Sequence, residues 1–280
     1  MKAWLLALLL TPGLALAAEP TIETHLVAID VGHTKASPGA ISVTGIPEFE
    51  FNHKIAKKLE TKLQETGTAK SFLIVSDKPR SLPERTRIAA SRKADLFVSI
   101  HHDSAQDKYL EERDAADGET QRFTNKFSGY SIFVSRKNPR YEESLDLARR
   151  IGRAMSVNFK FATHHNEAIP GENRPIVDRE AGIYAFDDLV VLKTATMPAV
   201  LVECGVIVNP EEEQSLLTDE RRITITAALV RGIRDYFANR PVTPQGAPLE
   251  SNAPIETSSP AATRYPKPGT TPSPRPSRDN

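Results

Sequence analysis

Val27-Ala-Ile-Asp-Val-Gly-His33 is a short apolar run that stops abruptly at a glycine and a histidine. The pattern predicts a buried strand over Leu26 to Ile29, ended by Asp30 and Gly32, with His33 at the mouth of the following loop. In open α/β sheets the loops leaving the carboxyl ends of the strands build the functional site. A histidine there is a candidate metal ligand, and the rest of the chain is searched for strands that deliver partners to the same edge.

Two such strands are present. Asp95-Leu-Phe-Val-Ser-Ile100 reads as a buried strand that ends in His101-His102-Asp103, and Met197-Pro-Ala-Val-Leu-Val-Glu203 as another that ends in a carboxylate. Catalytic zinc takes three protein ligands from His and Asp/Glu and keeps one position open. His33 and His101 are the nitrogen candidates. Glu48, where the first helix begins, is the carboxylate that can turn back toward His33. Imidazole and carboxylate suit zinc better than the harder divalent ions, which prefer oxygen shells. Glu203 then remains as the general base for an attacking water.

The intervening segments alternate helix and strand patterns. Phe51, Ile55, Leu59 and Leu63 recur at four-residue spacing and predict an amphipathic helix closed by Gly67. Phe72 to Ser76 is a second strand, and Ser81-Leu-Pro-Glu opens a helix with Pro83 in its first turn. Tyr130 to Val134 is a further strand. Leu147, Ile151 and Met155 mark one helix face, and Leu229, Val230, Ile233 and Phe237 mark the face of a final helix. This order predicts an α/β fold. Ser104 to Ser128 is polar and aperiodic, a solvated surface insertion or else a lid over the nearby site. Phe159 to Ala181 is a long loop.

Composition sets outer bounds. In 280 residues Lys plus Arg and Asp plus Glu number 36 each, so no global field draws the chain to nucleic acid or to an anionic membrane. Met1-Lys2, the apolar Ala3 to Leu10 and Ala15-Leu16-Ala17 form a secretory signal over residues 1–17, too short for stable membrane insertion. A periplasmic or secreted monomer is expected. Residues 240–280 are rich in Pro, Ser and Thr and predict a disordered tail. One catalytic domain remains over residues 24–238. Cys204 is the lone cysteine, so no internal disulfide supports the core.

Five segments carry a resemblance. They are Asp30 to Ala40, Gly45 to Asn52, Ser81 to Arg85, Ala94 to His101, and Pro198 to Gly205. In order and spacing they resemble the zinc-dependent N-acetylmuramoyl-L-alanine amidases of the Amidase_3 type, over about Leu26 to Phe237. The resemblance implies a twisted, mostly parallel six-stranded sheet flanked by helices. It implies cleavage of the amide between N-acetylmuramic acid and L-alanine in peptidoglycan or its muropeptides, with an activator protein as a further partner. By the same resemblance the zinc ligands are His33, Glu48 and His101, and the catalytic group is Glu203. The family glutamate stands four residues before an asparagine, as Glu48 does before Asn52, which selects Glu48 over Glu50. Competing readings are a zinc peptidase acting within the stem peptide, and a non-catalytic protein that binds the wall or an activator.

Several residues read as bystanders. His102 follows His101 on the opposite strand face, His53 sits on the surface of the first helix, and His164 and His165 are solvated loop residues with substrate contact as the second reading. Cys204 faces away from the metal and packs as a small hydrophobe. Arg85 matches a family position without a derived role. Some similar cell-division amidases carry an inhibitory helix after the strand corresponding to Ile132 to Val134, and here the connection is too short to hold one.

Overall fold

The computed structural model describes residues 24–77, 80–115, 118–166, 168–238 and 240; the predicted signal segment and the tail beyond residue 240 lie outside the described residues. Among the described residues nine strands and six α-helices follow in chain order, with a 3-10 turn at Asp107–Tyr109: β1 (Leu26–Val31), α1 (Glu48–Glu65), β2 (Lys70–Ile74), α2 (Leu82–Ser91), β3 (Leu96–Asp103), β4 (Glu111–Asp114), β5 (Thr120–Phe123), β6 (Ser131–Val134), α3 (Tyr141–Met155), β7 (Ile176–Asp178), β8 (Ile183–Ala185), α4 (Val190–Lys193), β9 (Ala199–Val206), α5 (Pro210–Leu216) and α6 (Asp219–Phe237). Seven of the strands form one sheet in the order β2-β1-β3-β9-β6-β8-β7. The pairings from β2 through β9 are parallel, β9 runs antiparallel to β6, β6 is parallel to β8, and β8 is antiparallel to β7.

The sheet is mostly parallel as expected but has seven strands rather than six. The additional edge strand β7 comes from the segment read as loop, and at three residues it is too short to show a period-2 pattern. The polar insertion is also more ordered than its sequence suggests. Its β4 and β5 pair as an antiparallel hairpin with exposed, mostly charged and polar side chains.

Strand alternation divides the core. Val27, Ile29 and Val31 of β1, Leu96, Val98 and Ile100 of β3, and Val200, Val202 and Cys204 of β9 share one cluster with α1, α3 and α6. Ala28, Phe97, Ala199 and Leu201 face the other side, under α2 and α4. The helix faces match the sequence periods: Phe51, Ile55, Leu59 and Leu63 of α1 and Leu147, Ile151 and Met155 of α3 are all buried. Pro83 stands in the first turn of α2, where its missing N–H costs nothing.

Candidate active site

Strand period places the site. Along β3, His101 and Asp103 continue the face that holds Phe97, and along β9 Glu203 continues the face of Ala199 and Leu201. Part of that face is covered by the short helices α2 and α4, and the polar groups lie beyond the apolar cluster they help to form. His101 is the register partner of Glu203. Contrary to the expectation that both residues sit at strand ends, β3 runs on through Asp103 and β9 through Val206. Pairing between the two strands continues past the polar residues, and their register shifts between His101 and Asp103.

His33, Glu48 and His101 converge. His33 Nε2 lies 2.9 Å from Glu48 Oε2, and His101 Nδ1 lies 2.9 Å from Glu48 Oε1. One ligand atom from each residue falls within 4.8 Å of the other two. Burial raises the proton affinity of Glu48, but hydrogen bonds and charge from His101 and His33 outweigh it and hold the carboxyl well below the carboxylate range. A buried anion between two imidazoles is a cation-binding arrangement, and two nitrogens with one oxygen is a donor set that fits zinc. The approach is tight. A Cβ on Gly32 would stand 2.4 Å from His101 Nε2, and one on Gly39 2.4 Å from Glu48 Oε2.

The supporting shell contains residues that the sequence did not assign. Asn52, one turn after Glu48 on α1, donates from Nδ2 to Glu48 Oε1 at 3.1 Å and to the Gly32 carbonyl at 3.2 Å. His102 points under α1, as strand alternation predicts, with its Nδ1 2.8 Å from Asn52 Oδ1. Burial pushes His102 down to about 3, so its ring is neutral. Arg85 now has a role as well. From α2 its guanidinium donates to Asp30 Oδ1 at 2.6 Å, to the Val31 carbonyl at 2.6 Å and to the His33 carbonyl at 2.5 Å. His33 has a left-handed backbone at φ 66°, uncommon for a residue with a side chain. Arg85 clamps the carbonyl of that residue to β1.

Glu203 is half-buried beside this cluster, and its buried Oε2 has no hydrogen-bond partner among the described residues. Burial raises its proton affinity well above the carboxylate range, and the negative charges of Asp103 and Glu48 add to this while Arg174 opposes it. Cys204 turns to the opposite face and is fully buried in the larger core cluster, as expected. His53 is half-buried and stacks on Phe49, with ring centroids 5.6 Å apart.

His164 and His165 overturn their reading as solvated residues. Both are buried, and both Nε2 atoms meet Asp103 Oδ2, at 3.0 and 2.5 Å. Their loop folds over the outer face of β3, so long-range packing buries side chains that its polar sequence would leave in water. Six residues, 135–140, connect β6 to α3, and no helix is inserted there.

A mostly parallel α/β sheet whose edge brings together His33, Glu48 and His101, donors able to hold a cation, beside the half-buried carboxylate of Glu203 is an arrangement that suits a metal-dependent hydrolase. The chain belongs to the Amidase_3 family, N-acetylmuramoyl-L-alanine amidase, whose sequence profile matches residues 27–235. It is 31% identical to the N-acetylmuramoyl-L-alanine amidase AmiA of Salmonella typhimurium over 242 residues, covering 78% of each chain. Among solved structures, the amidase Ami1 from Mycobacterium smegmatis has a similar fold, with a TM-score of 0.59 at 21% identity over 76% of this chain and 97% of that one. The CwlD amidase from Clostridioides difficile, solved in complex with the GerS lipoprotein, matches with a TM-score of 0.55 at 21% identity, over 76% of this chain and 98% of that one. No helix among the described residues is long and apolar enough to cross a membrane.

Proposed function

We propose that the protein hydrolyses the amide between N-acetylmuramic acid and the L-alanine of peptidoglycan stem peptides, with zinc held by His33, Glu48 and His101 and with Glu203 moving the proton. The observation that carries this reading is the convergence of the three donors beside a half-buried carboxylate whose buried Oε2 has no partner among the described residues. Bound zinc supplies Lewis acidity, toward water and toward the scissile carbonyl. Glu203 takes the proton of the attacking water and returns it to the alanine nitrogen as the C–N bond breaks. Without that protonation the amine is a poor leaving group. The raised proton affinity of Glu203 suits a group that must both accept and release a proton. Arg85 holds the His33 carbonyl, and Asn52, backed by His102, holds Glu48, which keeps the ligands in place.

The leader-like residues 1–17 support export to the periplasm or beyond, where peptidoglycan lies. The GerS complex of the CwlD amidase supports an activator protein as a partner here, and the acting species is a monomer. The test is a muropeptide digest read by mass spectrometry. Release of intact stem peptides that begin at L-alanine is expected, abolished by a chelator and restored by zinc. Cleavage within the stem peptide, or turnover indifferent to the chelator, refutes the reading. Glu203→Gln should keep its zinc and lose about 10²–10⁴ in turnover, whereas His33→Ala should lose both.

A further inference from the structure

Beyond the proposed zinc centre, a second group of donors meets on the same sheet face. Asp103 follows His101 by two residues on β3, and its Oδ2 faces His164 Nε2 at 3.0 Å and His165 Nε2 at 2.5 Å. One ligand atom from each of these three residues lies within 4.8 Å of the others. We propose that Asp103, His164 and His165 form a second binding site for a divalent cation of the zinc class.

Hydrogen-bond bookkeeping carries the proposal. His165 Nδ1 stands 2.8 Å from Glu172 Oε2, and a carboxylate at that position takes the Nδ1 proton. Nε2 then presents a lone pair to a carboxylate oxygen 2.5 Å away. Two lone pairs at that separation repel each other unless a cation joins them. Without a metal the cation is a second proton. His164 Nε2 also faces the Ser104 carbonyl at 3.2 Å and so carries a proton there, which a metal would displace to the buried Nδ1, a nitrogen with no partner among the described residues.

The surroundings match those of a built metal site. A histidine ligand usually donates its other nitrogen to a carboxylate that fixes its tautomer and orientation, the part Glu172 plays for His165. Glu172 is itself held by Gln106 Nε2 at 2.6 Å and by Arg174. Phe127 stacks on His164 at 4.8 Å and Phe133 packs edge-on to His165 at 5.1 Å, so both rings are fixed by packing. Donors around tetrahedral zinc stand about 3.3 Å apart, so the rings open by less than an ångström to admit an ion.

The test is metal stoichiometry on the whole protein, stripped with chelator and titrated with zinc alone, read by calorimetry and by elemental analysis after gel filtration. Two equivalents are expected for the unaltered protein, and one for the His164→Ala/His165→Ala variant. One equivalent is also expected for His33→Ala, which keeps the second site. A single equivalent in the unaltered protein, or two in the double variant, overturns the proposal. Histidine ¹⁵N spectra of the unaltered protein need no variant: zinc beyond the first equivalent should move the His164 and His165 Nε2 resonances. If those signals stay still, the cluster is a proton-bridged network only. Failure of the proposed catalytic centre reads differently, as His33→Ala retaining the full metal content of the unaltered protein.

Discussion

Replacing Arg85 with leucine removes a cation that serves three buried acceptors at once. Arg85 and Asp30 are 3% and 1% exposed, so neither group can turn to water when the other is lost. Asp30 keeps Ser99 Oγ as a donor at 2.7 Å on its other oxygen, but Oδ1 and the carbonyls of Val31 and His33 lose their guanidinium. Breaking a buried ion pair from one side costs about 3–5 kcal/mol, because a charge is left buried without its partner. In a domain of this size that lowers Tm by roughly 6–20 °C. A second readout follows from the His33 carbonyl. Released from its anchor, the left-handed residue relaxes toward ordinary backbone, and zinc affinity should fall about 10–100-fold, as for other groups that orient ligands. Arg85→Lys should not rescue it, since a single ammonium cannot reproduce the planar fork. Denaturant unfolding and zinc titration check both effects. The double variant Arg85→Leu/Asp30→Leu should recover part of the lost stability, because the stranded charge is gone. A single variant within about 1 kcal/mol of the unaltered protein, or a double variant less stable than the single, would refute this account.

Gly39→Ala should lose zinc and activity together: φ is 83° and the new Cβ would meet Glu48 Oε2 at 2.4 Å and His33 Cδ2 at 2.7 Å; retained metal content would show that the loop simply yields. Asp146 lies between Arg150 and Arg240; burial raises its proton affinity, but hydrogen bonds and charge from the two arginines outweigh it and hold the carboxyl below its ordinary value. A carboxyl depressed in the folded state stabilises above its unfolded pKa and loses that contribution as pH falls through the folded one. The Tm gap between the unaltered protein and Asp146→Asn should therefore be present at pH 7 and shrink at about pH 3; a gap that persists would assign the effect to packing instead. Burial pushes the Cys204 thiol up, and the side chain is fully enclosed. Alkylation should proceed only at the unfolding rate, and rapid labelling of the native protein would contradict the packing described.

Legibility in the sequence followed the range of the interaction. The faces of α1, α3 and α6 were visible because a helix repeats its buried side every three to four residues. The central strands were visible because they are buried on both faces and read as apolar runs. β7 and β8 were not, since three residues carry no period, and the sheet gained its seventh strand there. The ordered motifs from Asp30 to Gly205 were enough to nominate His33, Glu48, His101 and Glu203.

By itself the sequence determined which residues alternate across each strand, and so that His101 and Glu203 point one way while His102 and Cys204 point the other. Only the tertiary structure decided what meets those side chains. Arg85 reaches Asp30 across 55 residues and His165 reaches Asp103 across 62. Such contacts depend on how helices and loops pack over the sheet, and a local pattern has no information about them. The polar loop carrying His164 and His165 shows the difference most plainly: its composition predicts solvent, and the two rings are buried by Asp103 and by the rings of Phe127 and Phe133 that the fold places against them.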